Sequence, residues 1–341
     1  MTLDILLVGN PAAQSGKNAE RIDHARALLS RGGSVRVFAT EPEGRTISSL
    51  TNELNLRVPD VVVAMGGDGT FREVGAAILT AKCGRKTTLG MVPTGTANDQ
   101  GRSFGLEAGE HAVEKNVEVI LAGFETDLDA GIVRLEANGV LREDYFFDSL
   151  GVGLSARVLA QRNVDREWLD KDGGALKALY RDQWVYAGAL LRTFVETAFT
   201  EDRFDLEAEI DGVPYRYEGL TDLVLKGTRI YGGAWVFDRT AKHNDGLFEL
   251  VPFCGKAEWA SKAMVDLDGS PLDPEVLREV GVEHSPVQRG SNFLLTFRTK
   301  EPGPLHTQMD GEEWNLAQNS LQCSVRVEPR AIRLRVPEAA V

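Results

Sequence analysis

The sequence predicts an N-terminal doubly wound α/β domain followed by a C-terminal, mainly antiparallel β-sandwich domain. Two observations predict it. Short apolar runs alternate with amphipathic helical segments over 1–127, and strict two-residue alternation dominates thereafter. The first half should therefore contain strands over Leu3–Val8, Ser34–Ala39, Val61–Met65 and Thr88–Pro93. Helices are expected over Asn18–Leu29 and Phe71–Thr80. Runs such as Val61-Val62-Val63-Ala64 suit a parallel sheet covered on both faces. In the second half, apolar and acidic residues alternate through Phe204–Ile210, and Asp211-Gly212 supplies a tight hairpin before Val213, Tyr215 and Tyr217 resume the pattern. Gly246–Pro252, Asn292–Thr299 and Ser324–Val336 also read as strands, and one helical stretch, Ala175–Phe199, interrupts the β pattern. The expected boundaries are 1–127 for the α/β domain and 128–321 for the β-sandwich domain.

Charge excludes some function classes. With 38 Lys and Arg against 51 Asp and Glu, the net charge is −13. Such a chain is a poor phosphate-driven nucleic-acid binder, so no nucleic-acid partner is expected. An anionic bilayer would repel it on average, so any membrane contact should be transient and local. The three cysteines (Cys83, Cys254 and Cys323) form neither metal spacing nor a disulfide framework. With no uncharged apolar run of about 18 residues, a cytoplasmic location is expected.

The most informative segment is Val61-Val62-Val63-Ala64-Met65-Gly66-Gly67-Asp68-Gly69-Thr70. A buried strand runs into three glycines around one carboxylate, and a helix follows. Glycines let the backbone approach a ligand closely, and a helix start offers N–H groups to phosphate oxygens. Asp68 would repel a phosphate directly, so a Mg²⁺ between them is the physical reading. One strand later, Pro93-Thr94-Gly95-Thr96-Ala97-Asn98-Asp99 repeats the logic. Two such loops at neighbouring strand ends make a crevice of the kind in which α/β folds bind nucleotides.

Gly66-Gly67-Asp68-Gly69-Thr70 resembles the signature shared by NAD kinases, lipid kinases and phosphofructokinases. Pro93–Asp99 with Arg102, and Asn10-Pro11 with Ser15-Gly16-Lys17 behind it, resemble the diacylglycerol kinase family in particular. The opening loop is not a Walker A loop, because six residues separate Gly9 from Gly16 where that motif has four. The resemblance implies an ATP-dependent phosphotransferase with a lipid alcohol as acceptor, diacylglycerol first, using ATP and Mg²⁺. Carried over residue by residue, it implies nucleotide contacts from Asn10, Pro11, Ala12, Ala13, Gln14, Thr40, Gly66, Gly67, Asp68, Gly69, Thr70, Phe71, Arg72 and Thr94. It further implies that Asp99 and Asp127 join Asp68 in a water-mediated Mg²⁺ network. It also implies that 1–127 is the ATP-binding domain, completed by 322–341, and that 128–321 is the lipid-substrate domain. A homodimer is a separate expectation.

In the second half, Gln308-Met309-Asp310-Gly311-Glu312 resembles the family's late Asp-Gly-Glu. Phosphoryl transfer needs a base for the acceptor hydroxyl proton. In an extended segment Asp310 and Glu312 would share one face, and spacing leaves open which is the base. His306 is a nearby competitor. Ala241–Leu247 resembles the loop that holds a structural Mg²⁺ through Asp245 and the carbonyls of Lys242 and Leu247, but has Asn244 where a second acid is frequent. Phe146–Gly153 also matches a family segment.

Three other readings compete. An NAD kinase shares the Gly-Gly-Asp loop but not the Pro93–Asp99 pattern. A phosphofructokinase would need a second, basic sugar-phosphate signature. A catalytically dead nucleotide- or lipid-binding module would not need Asp68, Asp310 and Glu312. Leu176, Leu179, Tyr180, Trp184, Leu190, Leu191, Phe194 and Val195 fall at helical spacing on an apolar stripe. The stripe suits either core packing or lipid access.

Overall fold

Four short apolar strands build the first half. The structure, a computed structural model, describes residues 2–12, 17–42, 44–95, 98–137, 140–157, 159, 203–232, 235–255, 258–259, 262, 264–265, 284–300, 305–314 and 320–341. Its first elements are β1 (Leu3–Gly9), α1 (Lys17–Leu29), β2 (Gly33–Ala39), α2 (Thr46–Leu56), β3 (Val61–Gly66), α3 (Asp68–Thr80), β4 (Thr88–Pro93), α4 (Asp99–Ser103) and α5 (Val113–Ala122). The strands pair in parallel in the order β2-β1-β3-β4. Ile5, Leu7, Val61, Val63 and Met65 pack with Ile22 and Leu28 of α1 and Val117 and Ile120 of α5. Leu6, Val8, Val62 and Ala64 face Leu50 and Leu54 of α2 and Phe71, Val74 and Ile78 of α3. Helices on both faces explain the near-continuous apolar runs.

The second half is antiparallel. Its strands are β5 (Glu125–Ala137), β6 (Val140–Phe146), β7 (Ser149–Gly153), β8 (Phe204–Ile210), β9 (Val213–Leu220), β10 (Asp222–Lys226), β11 (Ile230–Tyr231), β12 (Trp235–Val236), β13 (Phe248–Phe253), β14 (Met264–Val265), β15 (Gln288–Gly290), β16 (Asn292–Thr299), β17 (Thr307–Met309), β18 (Glu312–Glu313) and β19 (Ser320–Arg335). A sheet in the order β15-β13-β10-β7-β17-β18 faces the β19-β16-β8-β9 region of the larger sheet. Phe146, Leu150, Val152, Phe204, Leu206, Phe248, Phe293 and Phe297 fill the core between them. The α/β plus antiparallel β fold class is thus borne out.

β19 joins the halves. Its first part pairs with β16, its length pairs with β5, and Leu334 lies parallel to Leu89 of β4. A bulge between Glu328 and Ile332, with Arg330 at φ 50°, turns the strand from one register to the next.

Several boundaries differ from expectation for local reasons. α3 starts at Asp68, inside the glycine run, because Gly67 at φ −94°, ψ −167° already caps it. The strand expected from Gly246 starts at Phe248, because Asp245 accepts the Leu247 N–H at 3.1 Å and Gly246 adopts φ 78°. α2, rich in Thr, Ser and Asn, carried no apolar signal strong enough to be read; only Thr46, Leu50 and Leu54 are buried on it. The stretch Ala175–Phe199 and its apolar stripe lie outside the described residues. Among the described residues no helix is long and apolar enough to cross a membrane.

The contact between halves is tight at Gly75 of α3, where an added Cβ would lie 2.4 Å from Cζ of Phe147. Phe147 also meets Phe71 edge-on at 5.8 Å. Gly75→Val should therefore cost about 1–3 kcal/mol by overpacking. Denaturant unfolding would read this as a lower midpoint, and an unchanged midpoint would refute it.

Candidate active site

The ends of the four parallel strands gather the first set of expected residues. Gly9 aligns with Ala39 and Met65, and Gly66 aligns with Pro93, so Asn10, Thr40, Gly66–Thr70 and Thr94 all leave the sheet at one edge. Thr40 donates its N–H to Gly9 O at 3.0 Å, and Thr94 donates to Gly66 O at 2.8 Å. Asn10 folds onto its own loop, its Oδ1 accepting the Ala12 N–H at 3.0 Å. Pro11 and Ala12 are exposed beside it. Ala13, Gln14, Thr96 and Ala97 lie outside the described residues.

The two glycine loops touch. A Cβ at Gly95 would lie 2.5 Å from the Gly67 Cα, so only hydrogen fits there. The Asn98 side chain, on a residue in the left-handed region at φ 55°, accepts from Gly95 N at 3.0 Å and donates to Gly95 O at 2.8 Å. That clamp delivers Asp99 to the start of α4, where its N–H is hydrogen-bonded to the Asp68 carboxylate. Asp99 Oδ2 accepts the Gly232 N–H at 2.6 Å, which ties the loop to the second half.

Asp310 reaches this edge from the other half. It sits in an Asp-Gly hairpin turn between β17 and β18, at φ 48°, with Gly311 at φ 74°. The segment 310–312 is therefore not extended, which corrects the shared-face expectation. Asp310 turns inward, 1% exposed. Its carboxylate accepts three successive N–H groups, from Phe147 at 2.9 Å, Asp148 at 2.8 Å and Ser149 at 3.0 Å. Burial, and then the neighbouring Asp148, push its carboxyl up to about 7 against those hydrogen bonds. Glu312 turns the opposite way. It pairs with Arg72 at 2.7 Å and sits so close over Gly69 that a Cβ there would overlap its Oε1.

Asp68 is held well above the ordinary carboxylate range, first by burial and then by Asp99, Asp148 and Asp310. Its Oδ1 is buried without a hydrogen-bond partner. An orphan anionic oxygen among carboxylates fits a hard divalent cation. Among the described residues no three His, Cys, Asp or Glu side chains converge to hold an ion directly. The fit is thus to an ion approached by Asp68 and reached by its neighbours through water.

Five expected residues are placed elsewhere. Phe71 is fully buried in the core of the first half and donates its N–H to Gly67 O at 3.1 Å, leaving no group for a ligand. Asp127 aligns with Arg333 beside the start of β4 and is paired with Arg85. That is the opposite edge, about 16 Å from Gly66 at strand rise, so it does not join Asp68. The His306 carbonyl accepts the Gly153 N–H, whereas Asp310 N–H donates to Ser149 O, so they stand four residues, about 13 Å, apart along the pairing. Asp245 is exposed and engaged with the Leu247 N–H within its own turn, and Lys242 is exposed. The loop is fastened by buried Asp129, whose N–H bonds His243 O at 2.8 Å and whose Oδ2 accepts Gly246 N–H at 2.6 Å.

Asp129, Asp148 and Lys226 were not singled out in the sequence. Asp148 and Lys226 form a buried ion pair at 2.5 Å beside Asp310. An Asp inside Phe146-Phe147-Asp148-Ser149-Leu150, and a Lys closing the apolar run Leu223-Val224-Leu225, were the available signals.

With this geometry in place, comparison with known proteins is specific. Residues 4–133 match the diacylglycerol kinase catalytic domain. The chain is 26% identical over 327 residues to Probable lipid kinase YegS of Salmonella gallinarum, covering 95% of this chain and 94% of the relative. It is 25% identical over the same length to the protein of that name from Salmonella typhimurium. A solved diacylglycerol kinase structure from Bacillus anthracis superposes with a TM-score of 0.68 at 19% identity, covering 100% of both chains. The resemblance read from the glycine motifs is borne out.

The raised Asp310 carboxyl has a signed consequence for stability. Its folded value, about 7, lies above the ordinary aspartate value of 3.8, so its contribution is full below about pH 4 and is lost as pH rises through about 7. The stability advantage of the wild type over Asp310→Asn should therefore shrink between pH 4 and 7. Melting temperatures of both proteins across that range would check it, and a constant difference would refute it.

Proposed function

We propose that the chain is an ATP-dependent lipid kinase whose acceptor is a lipid hydroxyl, with diacylglycerol, converted to phosphatidic acid, as the first substrate. The observation that carries this reading is the meeting of Asp68 and Asp310. One comes from a phosphate-type glycine turn and one from the opposite half, within electrostatic reach of each other.

In this reading the nucleotide phosphates lie over Gly66–Thr70, where the glycines admit close approach and the start of α3 offers its N–H groups. Asn10, Thr40 and Thr94 border the same edge. Asp68 would hold Mg²⁺ with Asp99 nearby; the ion, when bound, neutralises charge on the transferring phosphoryl group. Asp310 accepts the proton of the acceptor hydroxyl. A carboxyl near 7 suits a base working at neutral pH. Glu312 lies over the Gly69 path and holds Arg72, so phosphate entry draws Arg72 from a carboxylate to a phosphate. The second half receives the lipid, and docking at a membrane surface is brief because the chain carries a net charge of −13.

ATP consumption assayed in parallel with diacylglycerol, sphingosine, NAD and fructose 6-phosphate tests the acceptor. Diacylglycerol should yield a phosphorylated lipid; phosphorylation of NAD alone would replace this reading. Asp68→Asn should cut turnover by roughly 10²-fold or more while ATP affinity stays within a few-fold. Full turnover at saturating Mg²⁺ would refute the role of Asp68. Turnover should climb with pH to a plateau above about 7, because Asp310 acts as its carboxylate. A flat acid limb would move the base elsewhere.

A further inference from the structure

Lys226 ends β10, and its ammonium is 3% exposed. It donates to Asp148 Oδ1 at 2.5 Å, to Ile230 O at 2.6 Å and to Thr228 Oγ1 at 3.4 Å. An ammonium has three protons to place, and all three find oxygen. Thr228 also donates to Asp148 Oδ1, and Gly227 N bonds Asp148 O at 2.8 Å. Both the side chain and the main chain of Asp148 are thus pinned to 226–228. Asp148 is the middle residue of the three whose N–H groups hold the Asp310 carboxylate.

The same short segment reaches the first half. Ser103 Oγ of α4 lies 3.2 Å from Thr228 Oγ1 and accepts the Ile230 N–H at 3.0 Å, and Gly232 N–H binds Asp99. Lys226 is a buried cation beside Asp148, whose charge bears on both Asp68 and Asp310, and its own charge reaches Glu249 on β13. Burying a lysine is expensive even when the ammonium is paired and hydrogen-bonded. A neutral residue would have served packing alone.

We propose that Lys226 is a positioning residue of the phosphoryl-transfer site: through Asp148 it fixes the 147–149 cradle and so aims Asp310 at the acceptor hydroxyl. This rests on the kinase reading above for its kinetic test, and on geometry alone for its structural one.

Lys226→Met and the charge-neutral double variant Asp148→Asn/Lys226→Met separate positioning from folding. Lys226→Met leaves an unpaired buried carboxylate and should lower the melting temperature. The double variant removes both charges and should regain much of it. In both, kcat should fall about 10-fold or more, since small misplacement at the reacting centre is costly, while KM for ATP stays within about 2-fold. Amide hydrogen exchange at Phe147, Asp148 and Ser149 should accelerate in both. A folded double variant with wild-type kcat and wild-type protection at those amides overturns the proposal. If the double variant does not fold, the near-isosteric Asp148→Asn decides by the same two readouts. If the wild type phosphorylates nothing in the acceptor panel, the kinase reading fails. The exchange rates then judge Lys226 alone: unchanged protection in a folded variant overturns it.

Discussion

Three consecutive backbone N–H groups closing on one buried carboxylate hold this molecule's site together. Phe147, Asp148 and Ser149 cradle Asp310, and the side chain of the first of them is planted against α3 beside Gly75. A single tripeptide therefore sets the height of Asp310 and its distance from the glycine turn that opens α3. Desolvation of Asp310 is the cost of that placement, and it appears as a carboxyl lifted to about 7. The fold accepts an energetically unfavourable group where reactivity requires it.

The same logic extends to the carboxylates around it. Asp68, Asp99, Asp148 and Asp310 influence one another across the join between halves, and each is restrained by a different means. Asp99 binds main-chain N–H of Gly232, Asp148 binds Lys226, and Asp310 binds its cradle. Asp68 alone keeps a buried oxygen without a protein partner. That asymmetry separates Asp68 from the three acids that hold the frame.

Much of the first half was legible because its signals are local. Val61–Gly66 is buried on both faces and ends in glycines, so strand, turn and helix start could be read from ten residues. Asn98 and Asp99 were legible as part of a motif, though the clamp of Asn98 on Gly95 was not. The second half was legible in periodicity but less so in sites. Asp310-Gly311 is a hairpin turn and a buried acid at once, and sequence presents those as alternatives. Asp127 looked like a site acid because its neighbours matched a motif; only strand register shows that it faces the opposite edge. Lys226 and Asp148 are 78 residues apart, and nothing in local pattern pairs them.

β19 has a consequence for how the chain assembles during synthesis. Until it arrives, β4 is an open edge in the parallel half, and β5 lacks its long neighbour. Leu89 waits for Leu334, so the first half emerges from the ribosome with a sheet that stays unfinished until Ser320–Arg335 follows. Such an edge invites pairing with other nascent chains. The late, non-local closure makes the last step of folding the one that seals both halves together, and places it among slow topologies. Chaperone dependence, and sensitivity to trimming near the carboxyl terminus, would follow from this strand order alone.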